Sequence, residues 1–222
     1  MASKIKASPS RPKRGRPRMP TDDRRDQLLE ASLKVFLKKG FHATRIEDIV
    51  AAAGTGKGTF YLSFADKEEA FSALLDPFFA DVNQALIGVF ENLDAKQSLT
   101  DLFDRETQHI FSAFVKWKPV ATLLLREAGS AGPRIERKVS EFYRGLVETS
   151  RETFEFASGI GLLPRFNAEI AAVCIVGAIE KVYSQWLKGD LKTSQTEAVL
   201  ETSRFLQRGC GLSVKTHPSG NG

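Results

Sequence analysis

The chain has 222 residues, 42% of them hydrophobic and 27% charged, enough for one large or two small domains with a real core. Cys174 and Cys210 lie far apart without metal-ligand spacing, and 3 His leave few options for acid–base catalysis, so two reduced thiols and no metal, cofactor or catalytic centre are expected. With no run of about 18 apolar residues and no apolar core in the basic N-terminus, neither a membrane span nor export is expected, and the protein is placed in the cytoplasm.

The net charge of +5 is unevenly spread. Residues 1–18 carry seven basic side chains (Lys4, Lys6, Arg11, Lys13, Arg14, Arg16 and Arg18) and no acid, while the remainder has 25 basic against 27 acidic groups. A Ser-, Pro- and Lys/Arg-rich stretch of this kind cannot build a core, so 1–20 is read as a disordered basic arm suited to meet polyphosphate.

From Thr21 the pattern is helical nearly to the end. Leu29, Leu33, Phe36 and Leu37 recur at helical spacing until Gly40 stops the first helix. Thr44-x-x-Glu47 reads as a capping box opening a second helix with Ile46, Ile49, Val50 and Ala53 as its buried stripe, and Gly54 ends it. A short third helix covers about 57–64, and a fourth opens at Asp66-x-x-Glu69. Pro77 should kink or interrupt that fourth helix. Further helices are expected near 99–117, 119–128, 133–157, 167–188 and 194–209, the last opened by Ser194-x-x-Glu197. No alternating Val/Ile/Thr run suggests a sheet, so the fold class is all-α.

Two small helices around a glycine-containing turn at about 45–64 form a unit sized to place one helix in a DNA major groove. The series Leu28-Leu29-x-Ala31, Phe36, Gly40-Phe41, Thr44, Ile49, Ala53-Gly54, Lys57-Gly58-Thr59-Phe60-Tyr61, Phe64 and Lys67-Glu68 resembles, in type and spacing over about 50 residues, the TetR (tetracycline repressor-like) family of bacterial transcription regulators. The resemblance implies an N-terminal three-helix helix-turn-helix DNA-binding domain, here 21–83, and a larger helical ligand-binding and dimerisation domain, here 84–210, followed by a flexible tail at 211–222. It also implies DNA-binding roles for Thr44, Arg45, Lys57, Thr59, Tyr61 and Lys67. Thr44 would cap a helix whose N–H groups face a phosphate. Lys57 and Thr59 would reach base edges or phosphate, and Tyr61 and Lys67 would hold the DNA backbone. Gly56 and Leu62 depart from the family pattern, in which Ser or Thr and His are common, and Leu62 removes a potential polar contact. Upstream, Arg14-Gly15-Arg16-Pro17 looks like the core of an AT-hook, an extended segment that fits the narrow A·T minor groove through Arg14 and Arg16.

The C-terminal two-thirds is less specific. In the family the equivalent helices enclose an effector cavity, so Phe103, Phe114 and Trp117, with His109, Arg126 and Tyr143 as polar groups, are candidate contacts to a small apolar effector. For any one aromatic, ordinary core is the better expectation. Ile170, Val173, Gly177, Val182 and Trp186 line an apolar side with small residues on the eighth helix, and a homodimer through the last two helices would bury it. Two readings stay open: a homodimeric repressor released from double-stranded operator DNA by its effector, and an architectural DNA protein dominated by the arm.

Overall fold

The computed structural model describes residues 21–91, 98–127 and 129–212. Among them are the helices α1 (Thr21–Lys39), α2 (Ile46–Ala53), α3 (Lys57–Ser63), α4 (Lys67–Glu91), α5 (Leu99–Lys116), α6 (Lys118–Glu127), α7 (Pro133–Gly159), α8 (Ala168–Lys188) and α9 (Gln195–Gly209), and no strand. The starts are set by side chains that accept free backbone N–H groups. Asp66 accepts from Glu69 at 2.7 Å, Asn167 from Ile170 at 3.0 Å and Ser194 from Glu197 at 3.1 Å.

Two local expectations are corrected. The second helix is not opened by Thr44: its cap is Arg45, whose N–H is accepted by the Asp48 carboxylate at 3.0 Å. Thr44 is buried and donates its hydroxyl to Gly40 O at 2.7 Å, closing the turn after α1 instead. Nor does Pro77 interrupt α4, which runs unbroken for 25 residues. An internal proline costs about 3 kcal/mol. Against it stand Phe71, Leu75 and Phe78, fully buried, and Phe79 nearly so. At about 1.5–3 kcal/mol for each such side chain, packing outweighs the lost hydrogen bond.

One hydrophobic cluster extends from Leu28, Phe36 and Phe60 near the N-terminus through Phe78 and Phe79 to Phe142 and Tyr183. The division drawn at 83/84 falls inside α4, and this core passes straight across it. Phe79 stacks on Phe142 of α7 with centroids 3.8 Å apart and planes 5° from parallel. Polar ties reinforce the junction. Lys138 of α7 donates to Ser72 O at 2.9 Å, and Arg126 of α6 donates to Leu37 O of α1 at 3.2 Å. Gly132 has φ 120°, and a Cβ there would lie 2.6 Å from Glu68 Oε1; the missing side chain lets that carboxylate accept Arg134 N–H at 2.8 Å, at the start of α7.

By length and composition alone α8, with mean hydropathy 1.3, is apolar enough to cross a membrane, as a core helix can be. It carries Glu180 and Lys181 in its second half, and Ala172, Ile179 and Tyr183 pack into the protein. Its other side is exposed and apolar.

Candidate nucleic-acid interface

The geometry of α3 follows from one anchored aromatic. Phe60 is fully buried against Phe64, with ring centroids 5.6 Å apart, and the Arg25 guanidinium of α1 lies over Phe64 at 5.0 Å. Gln27 Nε2 donates to Ala53 O at 2.8 Å, fixing the end of α2 to α1. Between α2 and α3, Gly54 turns the chain in the left-handed region at φ 62°. With Phe60 facing inward, the opposite side of α3 presents Lys57, Gly58, Tyr61 and Leu62 to solvent.

The residues named from sequence separate into outward and inward groups. Arg45, Lys57 and Tyr61 are exposed and Thr59 half-buried, all on or next to the α2–α3 surface. Lys57 is paired with Glu47 across the turn, and that hydrogen bond holds the Glu47 carboxyl below its usual pKa and raises that of the lysine. Lys39 pairs with Asp48 at 2.6 Å, and together with the Arg45 N–H lowers the Asp48 pKa. Thus the N-terminus of α2 is occupied by the chain's own carboxylates, and Thr44 offers no phosphate site there. Lys67 is likewise turned inward. Its Nζ donates to Phe41 O, His42 O and Thr44 O at 2.8, 3.1 and 3.0 Å and sits 4.6 Å from the Phe41 ring centroid. Burial lowers its pKa from the ordinary lysine value. These bonds use the three ammonium donors, so Lys67 shapes the turn before α2 and is not free for DNA. Arg14 and Arg16 lie outside the described residues.

Sequence reasoning undervalued Leu62. It is 89% exposed, on the face shared with Tyr61 at 55%. An exposed apolar side chain on a helix of this kind suits the methyl group of thymine. The relevant signal was the Phe60 anchor: two residues after a buried position, a helix points away from its core.

A second feature lies in the C-terminal domain. A cavity of about 70 Å³ is walled by α4 (Leu86), α5 (Leu102, Phe103, Glu106), α7 (Ser150, Phe154), α8 (Ile175, Ile179) and α9 (Leu206). A neighbouring one of about 40 Å³ is lined by Phe114 and Tyr143. Burial first, and then Glu180, push the Tyr143 pKa up to about 12. Phe103, Phe114 and Tyr143 therefore meet a cavity. The other candidates are employed elsewhere: His109 is exposed beside Glu106, Trp117 Nε1 donates to Asp81 at 2.6 Å, and Arg126 reaches α1. On α8, Ile170 and Val173 are 62% and 55% exposed and Gly177 lies with them. Val182 and Trp186 instead pack on the chain's own core, Trp186 Nε1 donating to Thr193 O at 3.2 Å. Leu200 and Phe205 of α9, 41% and 69% exposed, were not foreseen.

A short exposed helix held by a glycine turn against two others defines a helix-turn-helix DNA-binding protein. Residues 28–74 match the family described as bacterial regulatory proteins, tetR family. The match covers the helix-turn-helix segment, and the relatives this chain resembles are named as transcriptional regulators. It is 26% identical over 192 residues to the HTH-type transcriptional activator FasR of Mycolicibacterium smegmatis, covering 85% of this chain and 83% of that protein. It is 34% identical over 107 residues to the HTH-type transcriptional repressor NicS of Pseudomonas putida, covering 48% and 49%. The fold matches that of the transcriptional regulator FadR from Bacillus subtilis in complex with stearoyl-CoA with a TM-score of 0.65, at 20% identity over 82% of this chain and 96% of the other.

Proposed function

We propose that the protein is a homodimeric repressor released from its operator when a small, predominantly apolar effector enters the cavity between α4, α5, α7 and α8. The observation that carries this reading is that Leu86, in the cavity wall, belongs to the same unbroken helix as Lys67, which secures the turn before α2. An effector that favours a different position of α4 then binds one arrangement of the α2–α3 units better than another, and that difference in affinity is what shifts such an equilibrium. The stearoyl-CoA complex of the FadR structure supports an apolar effector, and the NicS repressor supports the sign of regulation. The exposed apolar strip Ile170, Val173, Gly177 with Phe205 supports a dimer across a two-fold axis, which sets two α3 helices on successive major grooves. Arg14 and Arg16 add minor-groove contacts.

The test uses the full chain, a high-affinity DNA selected from random sequence, and a panel of small apolar amphiphiles that differ in head group and chain length. Binding should raise the melting temperature by mass action and release the DNA in fluorescence anisotropy. Ligand binding that leaves DNA affinity unchanged refutes the coupling. A stable monomer at micromolar concentration in sedimentation refutes the dimer.

A further inference from the structure

Several buried or half-buried hydroxyls on these helices follow one habit. Ser32, Thr122, Thr153 and Thr202 each donate to the carbonyl four residues back, at 2.6–2.8 Å. Ser150 does not. It is 3% exposed, its Oγ has no protein hydrogen-bond partner, and it lies in the wall of both cavities, at their junction with Leu86, Ile110, Ile175 and Ile179. One helix away, Glu106 is 5% exposed in the wall of the larger cavity. Its Oε1 accepts Arg105 Nε–H at 3.1 Å. Its Oε2 accepts no hydrogen bond; the nearest cationic partner is His109, whose Nδ1 lies 3.3 Å away and pairs with it only when the imidazole is protonated. Buried polar groups are ordinarily satisfied, and two unsatisfied oxygens in one apolar cavity mark the place where a ligand's polar end belongs.

We propose that Glu106 and Ser150 are the polar recognition point of this cavity, and that its ligand is a short amphipathic molecule with a hydrogen-bond-donating head, an ammonium or a hydroxyl. This rests on the effector reading above and narrows it. A carboxylate oxygen only accepts, so its complement is a donor, whereas the Ser150 hydroxyl adapts to either role. A carboxylate or thioester head offers acceptors alone and would set lone pair against lone pair at Oε2. Size points the same way. About 10–15 Å³ holds one water, so cavities of about 70 and 40 Å³ together take roughly seven to eleven such atoms, room for an eight-carbon chain and its head.

Isothermal titration of the full-length protein with 1-octylamine, 1-octanol and octanoate tests the proposal. In the wild type octylamine should bind about tenfold more tightly than octanoate, with octanol between them. Glu106→Gln keeps an acceptor for Arg105 but removes the charge; it should weaken octylamine about tenfold and octanol much less. Ser150→Ala should weaken octylamine and octanol by roughly threefold each. Octanoate binding as tightly as octylamine in the wild type overturns the proposal without recourse to any variant, as does indifference of all probes to both substitutions; either leaves an apolar effector cavity standing. Ile175→Phe fills the wall common to both cavities. Should no probe bind the wild type, or should binding survive this substitution, the effector-cavity reading itself fails.

Discussion

Lys67→Met separates two roles for one lysine. A phosphate-binding lysine would leave folding untouched and take a charge from the DNA interface. The structure gives Lys67 a different task, and its cost can be worked out. Of its three acceptors, His42 O is bonded in an exposed setting and can turn to water, whereas Phe41 O and Thr44 O are part-buried and lose their donor. Two such losses at about 1–1.5 kcal/mol each amount to about 2–3 kcal/mol. Met also removes the ammonium from over the Phe41 ring, a cation–π contact of about 0.5–1 kcal/mol, so most of the cost lies in the lost hydrogen bonds. For a chain of this size, at about 2–4 °C per kcal/mol, the melting temperature should fall by about 4–12 °C. Binding to random DNA, measured by anisotropy over a salt series, should keep its salt slope, because no phosphate contact is removed. A melting temperature within about 1 °C of wild type, with a slope reduced by about 0.9, would refute the inward role and restore the phosphate contact.

Leu62→Ala should cost about 1 kcal/mol or less in operator affinity while sparing random DNA, whereas Tyr61→Ala should weaken both alike; competition anisotropy with the two DNAs distinguishes apolar base contact from backbone contact. Asp48 has a folded-state pKa below its unfolded one, so its stabilisation is present above the unfolded pKa and is lost as the pH falls through the folded value; Asp48→Asn should flatten the acid limb of a stability–pH profile, and an unchanged limb argues against the Lys39 and Arg45 N–H partnership. Removal of residues 1–18 should lower the salt slope of DNA binding by several units, and an unaltered slope dismisses Arg14 and Arg16 as DNA ligands.

Helix positions were legible in the sequence because several signals agreed: 3.6-residue periodicity, capping residues at Asp66 and Ser194, and glycines at the ends. Errors arose where two local signals competed. Thr44-x-x-Glu47 and Arg45-x-x-Asp48 differ by one residue, and side-chain preference favours the former. Burial of Thr44, with its hydroxyl already taken by Gly40 O, decides for the latter. Interruption at Pro77 was overestimated because the aromatic packing that outweighs it comes from α7, more than sixty residues away. Inward or outward direction in the C-terminal domain was the least legible feature. Arg126 and Trp117 lie on the right elements, but which carbonyl or carboxylate each meets depends on how α1 and α4 pack, and no local pattern encodes that.

On the proposed coupling, the unbroken course of α4 through Pro77 would act as a lever. At 1.5 Å per residue its 25 residues span about 37 Å. Phe78, buried between Phe114 and Phe142, sits near the middle as a fulcrum. Leu86 lies eight residues beyond it, about 12 Å, and Lys67 eleven before it, about 16 Å. With the arm toward Lys67 about a third longer, the stroke would be amplified by about 1.4 and reversed in sense. A shift of the helix at the cavity would arrive, somewhat enlarged, at the carbonyls held by Lys67, and so at the turn ahead of α2. To move that turn by an ångström, a ligand would displace Leu86 by about 0.7 Å.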